Sequence, residues 1–211
     1  MKRISILLIC ILLLTGCTNI SKLSYDDIVK SFSSVKMASN IYRTGYKYYL
    51  PDGMSITDST LYNETLKDAN YTYYLHVDII SYYNKVDKAY QKNDKAIYST
   101  GISYDDKKGY VEINLVENDK YLVEIMYNYA KIEVIVDKDN CNMAMLSAIN
   151  ILNSIVYNDI IIANMLGDDI LSFSEEDFDI FETHHAEDDY IQIEDIVEDE
   201  DYQEVDTDLI N

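Results

Sequence analysis

Three short stretches of this 211-residue chain carry side chains whose types and spacing could do chemistry. In Tyr74-Leu-His-Val-Asp78, His76 and Asp78 stand two apart and Ser81 follows. Residues two apart on an extended strand share a face, so His76 and Asp78 can cooperate as an acid–base pair, with Tyr74 in the same row. The nearness of Ser81 invites a Ser-His-Asp constellation. Strand parity opposes it, because a regular strand puts Ser81 on the face opposite both partners. What remains is a polar, solvent-facing row in which His76, Asp78 and Tyr74 are candidates for binding rather than for catalysis. Gly101-Ile-Ser-Tyr-Asp105 misses the nucleophile elbow at its last position, where Asp replaces Gly, and a hairpin rather than a strand-to-helix turn is expected there.

Cys141 opens a helical pattern, where a helix N-terminus can lower a thiol pKa. It falls on the apolar stripe, however, where free cysteine packs as a small hydrophobe, and Asp137 and Asp139 oppose thiolate formation. His184-His185 with Glu182, Glu187, Asp188 and Asp189 offers metal-ligand types, but neither the HExxH spacing nor a calcium loop with its central Gly is present. No Walker loop or dinucleotide fingerprint occurs. The residues therefore assign no catalytic group, no metal site and no cofactor. Tyrosine rows could stack sugar rings; cross-strand packing accounts for them equally well, and the chain has no Trp.

The elements that position these residues read as α+β. Ser24-Tyr-Asp-Asp27 is a capping-box variant, and Ile28, Phe32 and Val35 recur at helical spacing, predicting a helix over 25–37. Seventeen of the 21 tyrosines lie between Tyr42 and Tyr129, and Tyr favours half-buried pleated surfaces. Strands are predicted at 46–50, closed by the Pro51-Asp-Gly53 turn, and then at 71–83, 96–103, 110–116, 121–127 and 131–136. Short connections at 105–109 and 118–120 imply antiparallel neighbours. Cys141, Met145, Ala148, Leu152 and Ile155 form the stripe of a helix that can cover one sheet face. Ser174-Glu-Glu-Asp177 with Phe178 and Phe181 could begin a short docking helix. The expected architecture is an antiparallel, Tyr-rich sheet of about five to seven strands between an N-terminal and a C-terminal helix; an α/β/α sandwich of the PsbP type is one such layout.

Lys2 and Arg3 precede the apolar run Ile4–Leu14, the order of a secretory signal. As a helix this run covers about 16 Å, short of a hydrocarbon core of roughly 30 Å. Leu14-Thr-Gly-Cys17 resembles the lipobox of bacterial lipoproteins. The resemblance implies diacylglyceryl transfer to the Cys17 thiol, cleavage between Gly16 and Cys17, and a membrane-lipid partner at the outer side of the cytoplasmic membrane. Two acyl chains hold where one holds only marginally. The chain then divides into a signal peptide over 1–16, a lipidated tether over 17–23, an α+β domain over 24–174 and an acidic tail over 175–211.

That tail holds seventeen Asp and Glu and no Lys or Arg, out of a net charge of −21. Such acidic–hydrophobic alternation is expected to be largely disordered, either as a solvated brush or as an arm for a basic protein partner. Arg43 is the only arginine after the cleavage point, which argues against nucleic acid. With Cys10 removed and Cys17 lipidated, Cys141 is left without a disulfide partner, so packing must hold the fold. The expected function is a non-enzymatic binding or interaction module of the cell envelope. An envelope hydrolase with a site assembled from distant residues, and an accessory or chaperone-like subunit docking through the tail, are the rivals. A concave pocket gathering His76, Cys141 or several carboxylates would favour the hydrolase; a flat or grooved sheet face would favour the module.

Overall fold

Alternation of apolar and polar residues along 72–77, 107–115, 120–127 and 130–137 requires a sheet with one buried face. A computed structural model describes residues 20–33, 37–86 and 89–167 and contains that sheet. The described residues belong to one unit, Met1–Phe181; a second unit spans Glu182–Asn211. The signal segment, the lipobox, His184, His185, the Ser174–Asp177 helix start and the acidic tail lie outside the described residues.

The elements run α1 (Tyr25–Val29), β1 (Ile41–Tyr42), β2 (Tyr46–Tyr48), β3 (Ser55–Ser59), β4 (Asn63–Lys67), β5 (Thr72–Val77), α2 (Ile79–Asn84) and β6 (Tyr98–Tyr104). After these come β7 (Lys107–Leu115), β8 (Lys120–Tyr127), β9 (Ala130–Asp137), α3 (Cys141–Asn153), β10 (Val156–Tyr157) and α4 (Asp159–Leu166). Seven strands form one antiparallel sheet in the order β3-β4-β5-β9-β8-β7-β6, and β1-β2-β10 form a second, three-stranded sheet. Helices flank the strands at both ends of the described chain, as an α+β fold requires. None of the described helices is long and apolar enough to cross a membrane.

Tyr73, Leu75 and Val77 share a face with Ile132, Val134 and with Val123 and Ile125, and all are buried. Against that face lies α3, packed on β8 and β9 through Cys141, Met145, Ala148 and Leu152. Complete burial of side chains of this size contributes roughly 1.5–3 kcal/mol each. The amide of Asn142 donates to the carbonyls of Ile20 and Leu23 at 2.9 and 3.0 Å, tying the start of the described chain to the start of α3.

Several sequence expectations are corrected in extent. The N-terminal helix is a single capped turn, with Ser24 Oγ accepting from Asp27 N at 3.2 Å, followed by a 3-10 turn over Lys30–Ser33. The strand expected over 71–83 ends at Val77, where Asp78 caps α2 instead of extending the sheet. β1, β3, β4 and β10 were not expected. The edge strand β3 is exposed except at Ile56 and carries a bulge between Ile56 and Asp58, so its pattern never alternates cleanly. In β4 the alternation is broken by a buried acid, Glu64.

One turn and one glycine fix the register. Tyr127 pairs with Ala130 across Asn128 and Tyr129, both at positive φ (52° and 62°), the two-residue turn whose twist suits a hairpin. Its carbonyls are held from outside: Tyr129 O accepts from Asp78 N at 2.8 Å, and Asn128 O from the Tyr157 hydroxyl at 2.7 Å. Gly109 sits where β7 crosses closest to β8; a Cβ there would fall 1.9 Å from the Met126 carbonyl oxygen.

Candidate functional site

The face of the large sheet turned away from α3 is polar, and its rows are set by register. Thr65, Tyr74, Glu133, Glu124, Glu112 and Ser99 stand opposite one another on successive strands from β4 to β6. Three neighbouring carboxylates in one row repel one another, so each needs a local counterweight. Glu133 is 1% exposed and lies 2.8 Å from the Lys131 ammonium. Glu124 accepts from the Tyr110 hydroxyl. Glu112 accepts from Tyr90 at 2.8 Å, from Asn93 at 2.7 Å and from Asn114 at 2.9 Å. Tyr90 stacks on Tyr110 with centroids 4.5 Å apart, so the segment before β6 lies over this end of the row. Burial, aided by the Glu112 carboxylate, pushes the Tyr90 hydroxyl up to about 12. The row is thus a set of acceptors already engaged by the chain. Among the described residues no group of three or more His, Cys, Asp and Glu is arranged to hold a metal ion.

The residues singled out by sequence separate. His76 lies on the polar face of β5, opposite Asn63, with Nδ1 2.7 Å from the Asn63 side-chain oxygen. Asp78 lies past the end of the strand and accepts from the Ser81 backbone N–H at 2.8 Å as the cap of α2. The pairing of His76 with Asp78 on one strand face is therefore corrected: a helix start takes Asp78 out of the row. Ser81 is buried in α2, and Ser103 sits on β6 beside the Asp105 hairpin turn. Cys141 is buried under α3, where desolvation pushes its thiol up to about 11, the opposite of activation.

Tyr74 is the one of these that reaches a cavity. A shallow depression of about 650 Å³ is lined by Tyr74 with Asn70, Tyr71, Thr72, Lys120, Ile135, Asp137 and Asn140. It presents amides, hydroxyls, one ammonium and one carboxylate, with Ile135 as its aliphatic patch. Tyr71 Oη donates to Asp137 Oδ2 at 2.9 Å across it. That chemistry can take a polar, hydrogen-bonding ligand.

A second polar centre, on the buried face, escaped the sequence reading. Glu64 is 2% exposed. Arg43 donates to it through Nε at 3.1 Å and Nη2 at 2.8 Å, Tyr46 through its hydroxyl at 3.0 Å and Tyr48 at 2.8 Å. Burial, together with Glu64, raises the hydroxyl pKa values of Tyr46 and Tyr48, and the bond to Glu64 raises that of Arg43. This arrangement clips the three-stranded sheet to β4, one strand in from the edge of the large one. The only signal in the sequence was the solitary arginine, and nothing local said which acid it meets.

No protein-family model, no curated protein and no solved structure matches this chain.

Proposed function

We propose that this chain is a lipoprotein of the cell envelope, cleaved before Cys17 and anchored through it at the outer side of the cytoplasmic membrane, and that its α+β domain is a non-enzymatic binding module. The observation that carries the reading is the composition of the cavity. It holds neither His76 nor Cys141 and a single carboxylate, Asp137, while its remaining polar groups are the amides, hydroxyls and ammonium of a binding surface. A hydrolytic site needs a base within hydrogen-bond reach of a nucleophile, and among the described residues His76 and Cys141 lie on opposite faces of the sheet. The acidic segment 175–211 is proposed as an arm for a basic protein partner, on its charge alone.

Two measurements test the two halves of the reading. Metabolic labelling with a fatty-acid analogue should mark the native chain and not Cys17→Ser; a labelled mutant removes the anchor. Complementation of a deletion strain should survive His76→Ala and fail with substitutions at Tyr74 and Asp137, protein levels being equal. Failure of His76→Ala with normal accumulation would hand the assignment to an enzyme.

A further inference from the structure

The binding surface can be oriented relative to the membrane, an inference that rests on the lipoprotein reading. The first described residue, Ile20, is fixed: its carbonyl and that of Leu23 accept from Asn142, at the start of α3. Cys17 and Ile20 are three residue steps apart, and a chain spans at most about 3.6 Å per step, so residue 17 can lie no more than about 11 Å from the folded body. Such a tether leaves no room for the domain to stand away from the headgroups. It must meet them with the end of the sheet where α3 begins.

That end is defined by topology. β9 finishes at Asp137 and runs through the Lys138–Asn140 turn into Cys141. Lys120 pairs with Asp137, and the β4–β5 turn over Asp68–Asn70 lies at the same end, since Tyr73 pairs with Val134 four residues before Lys138. The Asp105–Asp106 and Asn128–Tyr129 hairpins lie at the other end, about 24 Å away at 3.4 Å per residue along β8. Asn70, Tyr71, Lys120, Asp137 and Asn140, five of the cavity's eight lining residues, belong to the anchor end. Leu115 and Met143, exposed large apolar side chains, are there too, on β7's last residue and in the first turn of α3. Exposed Lys22, Lys120 and Lys138 are offset by exposed Asp119, Asp137 and Asp139, so the short tether, not net charge, sets the orientation.

We propose that the anchor end of the domain, with the cavity between Asn70, Tyr71, Lys120 and Asp137, rests on the headgroup layer of the bilayer that carries Cys17, and that the cavity takes its ligand from that layer. The cavity offers donors and acceptors together, which suits the phosphate and hydroxyl groups of lipid headgroups.

The test uses the acylated full-length mature chain in vesicles of phosphatidylglycerol and phosphatidylcholine with a nitroxide on a fraction of the headgroups. Cys17 carries lipid and Cys141 is buried, so a cysteine introduced by Asn70→Cys or Asp106→Cys is the reactive thiol for a fluorophore. The nitroxide lipid should quench the label at position 70 several-fold more than the label at position 106. Lys138→Cys, outside the cavity lining, should behave like position 70 and guards against a local misfold at the β4–β5 turn. Equal quenching at both ends, or stronger quenching at position 106, overturns the orientation while leaving the anchor in place. A purified chain without fatty acid overturns the anchor reading and this inference with it.

Discussion

Burying a carboxylate costs several kcal/mol unless donors surround it, and Glu64 receives four. Arg43→Ala leaves the charge buried with only two tyrosine hydroxyls. Because those hydroxyls stay, the expected loss falls at the low end of about 3–5 kcal/mol, read as a drop in the urea midpoint at unchanged slope. Glu64→Gln should cost less than Arg43→Ala, since the amide oxygen still accepts a hydrogen bond and the charge left without its partner, on Arg43, is the more exposed of the two. Cys141 supplies a second residue-scale prediction. A thiol pushed up to about 11 and shut under α3 should resist alkylation in the native chain and react at once after unfolding. Rapid labelling of the native chain would contradict the packing. The burial of Cys141 was legible because it sits on an apolar stripe of helical period. Glu64 was not, because an acid at a core-facing position carries no sign in the sequence of the arginine 21 residues away that pairs with it.

Elements were legible where period and burial agree. β5 buries strictly alternate residues and β6 to β9 follow one another through short connections, so their existence and the antiparallel pairing of β6 through β9 were legible, whereas the placement of β5 beside β9 was not. β3 and β4 were missed because an exposed edge and a buried acid both break the alternation. α2 was missed because Ile79, Tyr82 and Tyr83 read as well in a strand as in a helix, and the deciding event is a cap: Asp78 turns inward to accept from Ser81. The row Glu133–Glu124–Glu112 needed three registers at once, and each depends on turn geometry rather than on composition. At this scale Gly109 is the sharpest test of the β7–β8 register. A methyl group 1.9 Å from the Met126 carbonyl cannot be accommodated without moving backbone. Gly109→Ala should therefore cost about 3 kcal/mol or more, the upper range for overpacking, seen as a lowered thermal midpoint. A change under about 0.5 kcal/mol, ordinary for surface sites, would mean the two strands are further apart than described.

At the scale of the molecule, the tyrosines make stability a function of alkaline pH. Tyr82, Tyr90 and Tyr127 are pushed up to about 12, in each case by burial first, and the Cys141 thiol to about 11. A group whose folded pKa is raised binds its proton in the folded chain after the unfolded chain has released it. The stabilisation is complete below the unfolded values, near 9 for the thiol and 10 for the tyrosines, and is lost as pH rises through 11 and 12. Denaturant midpoints should thus be level up to about pH 9 and fall above it, with the absorbance of these buried tyrosinates appearing together with loss of the fold. Early, complete tyrosinate formation in a folded chain would refute it.

The bulge in β3 bears on how many such molecules can live side by side. Chains held on one surface meet in two dimensions, edge to edge, and an open strand invites a neighbour to add its own. Here the edge at β3 is five residues long, polar and kinked between Ile56 and Asp58. Were the chain anchored as proposed, crowding on a membrane would raise its local concentration without β3 offering a neighbour a straight edge to extend.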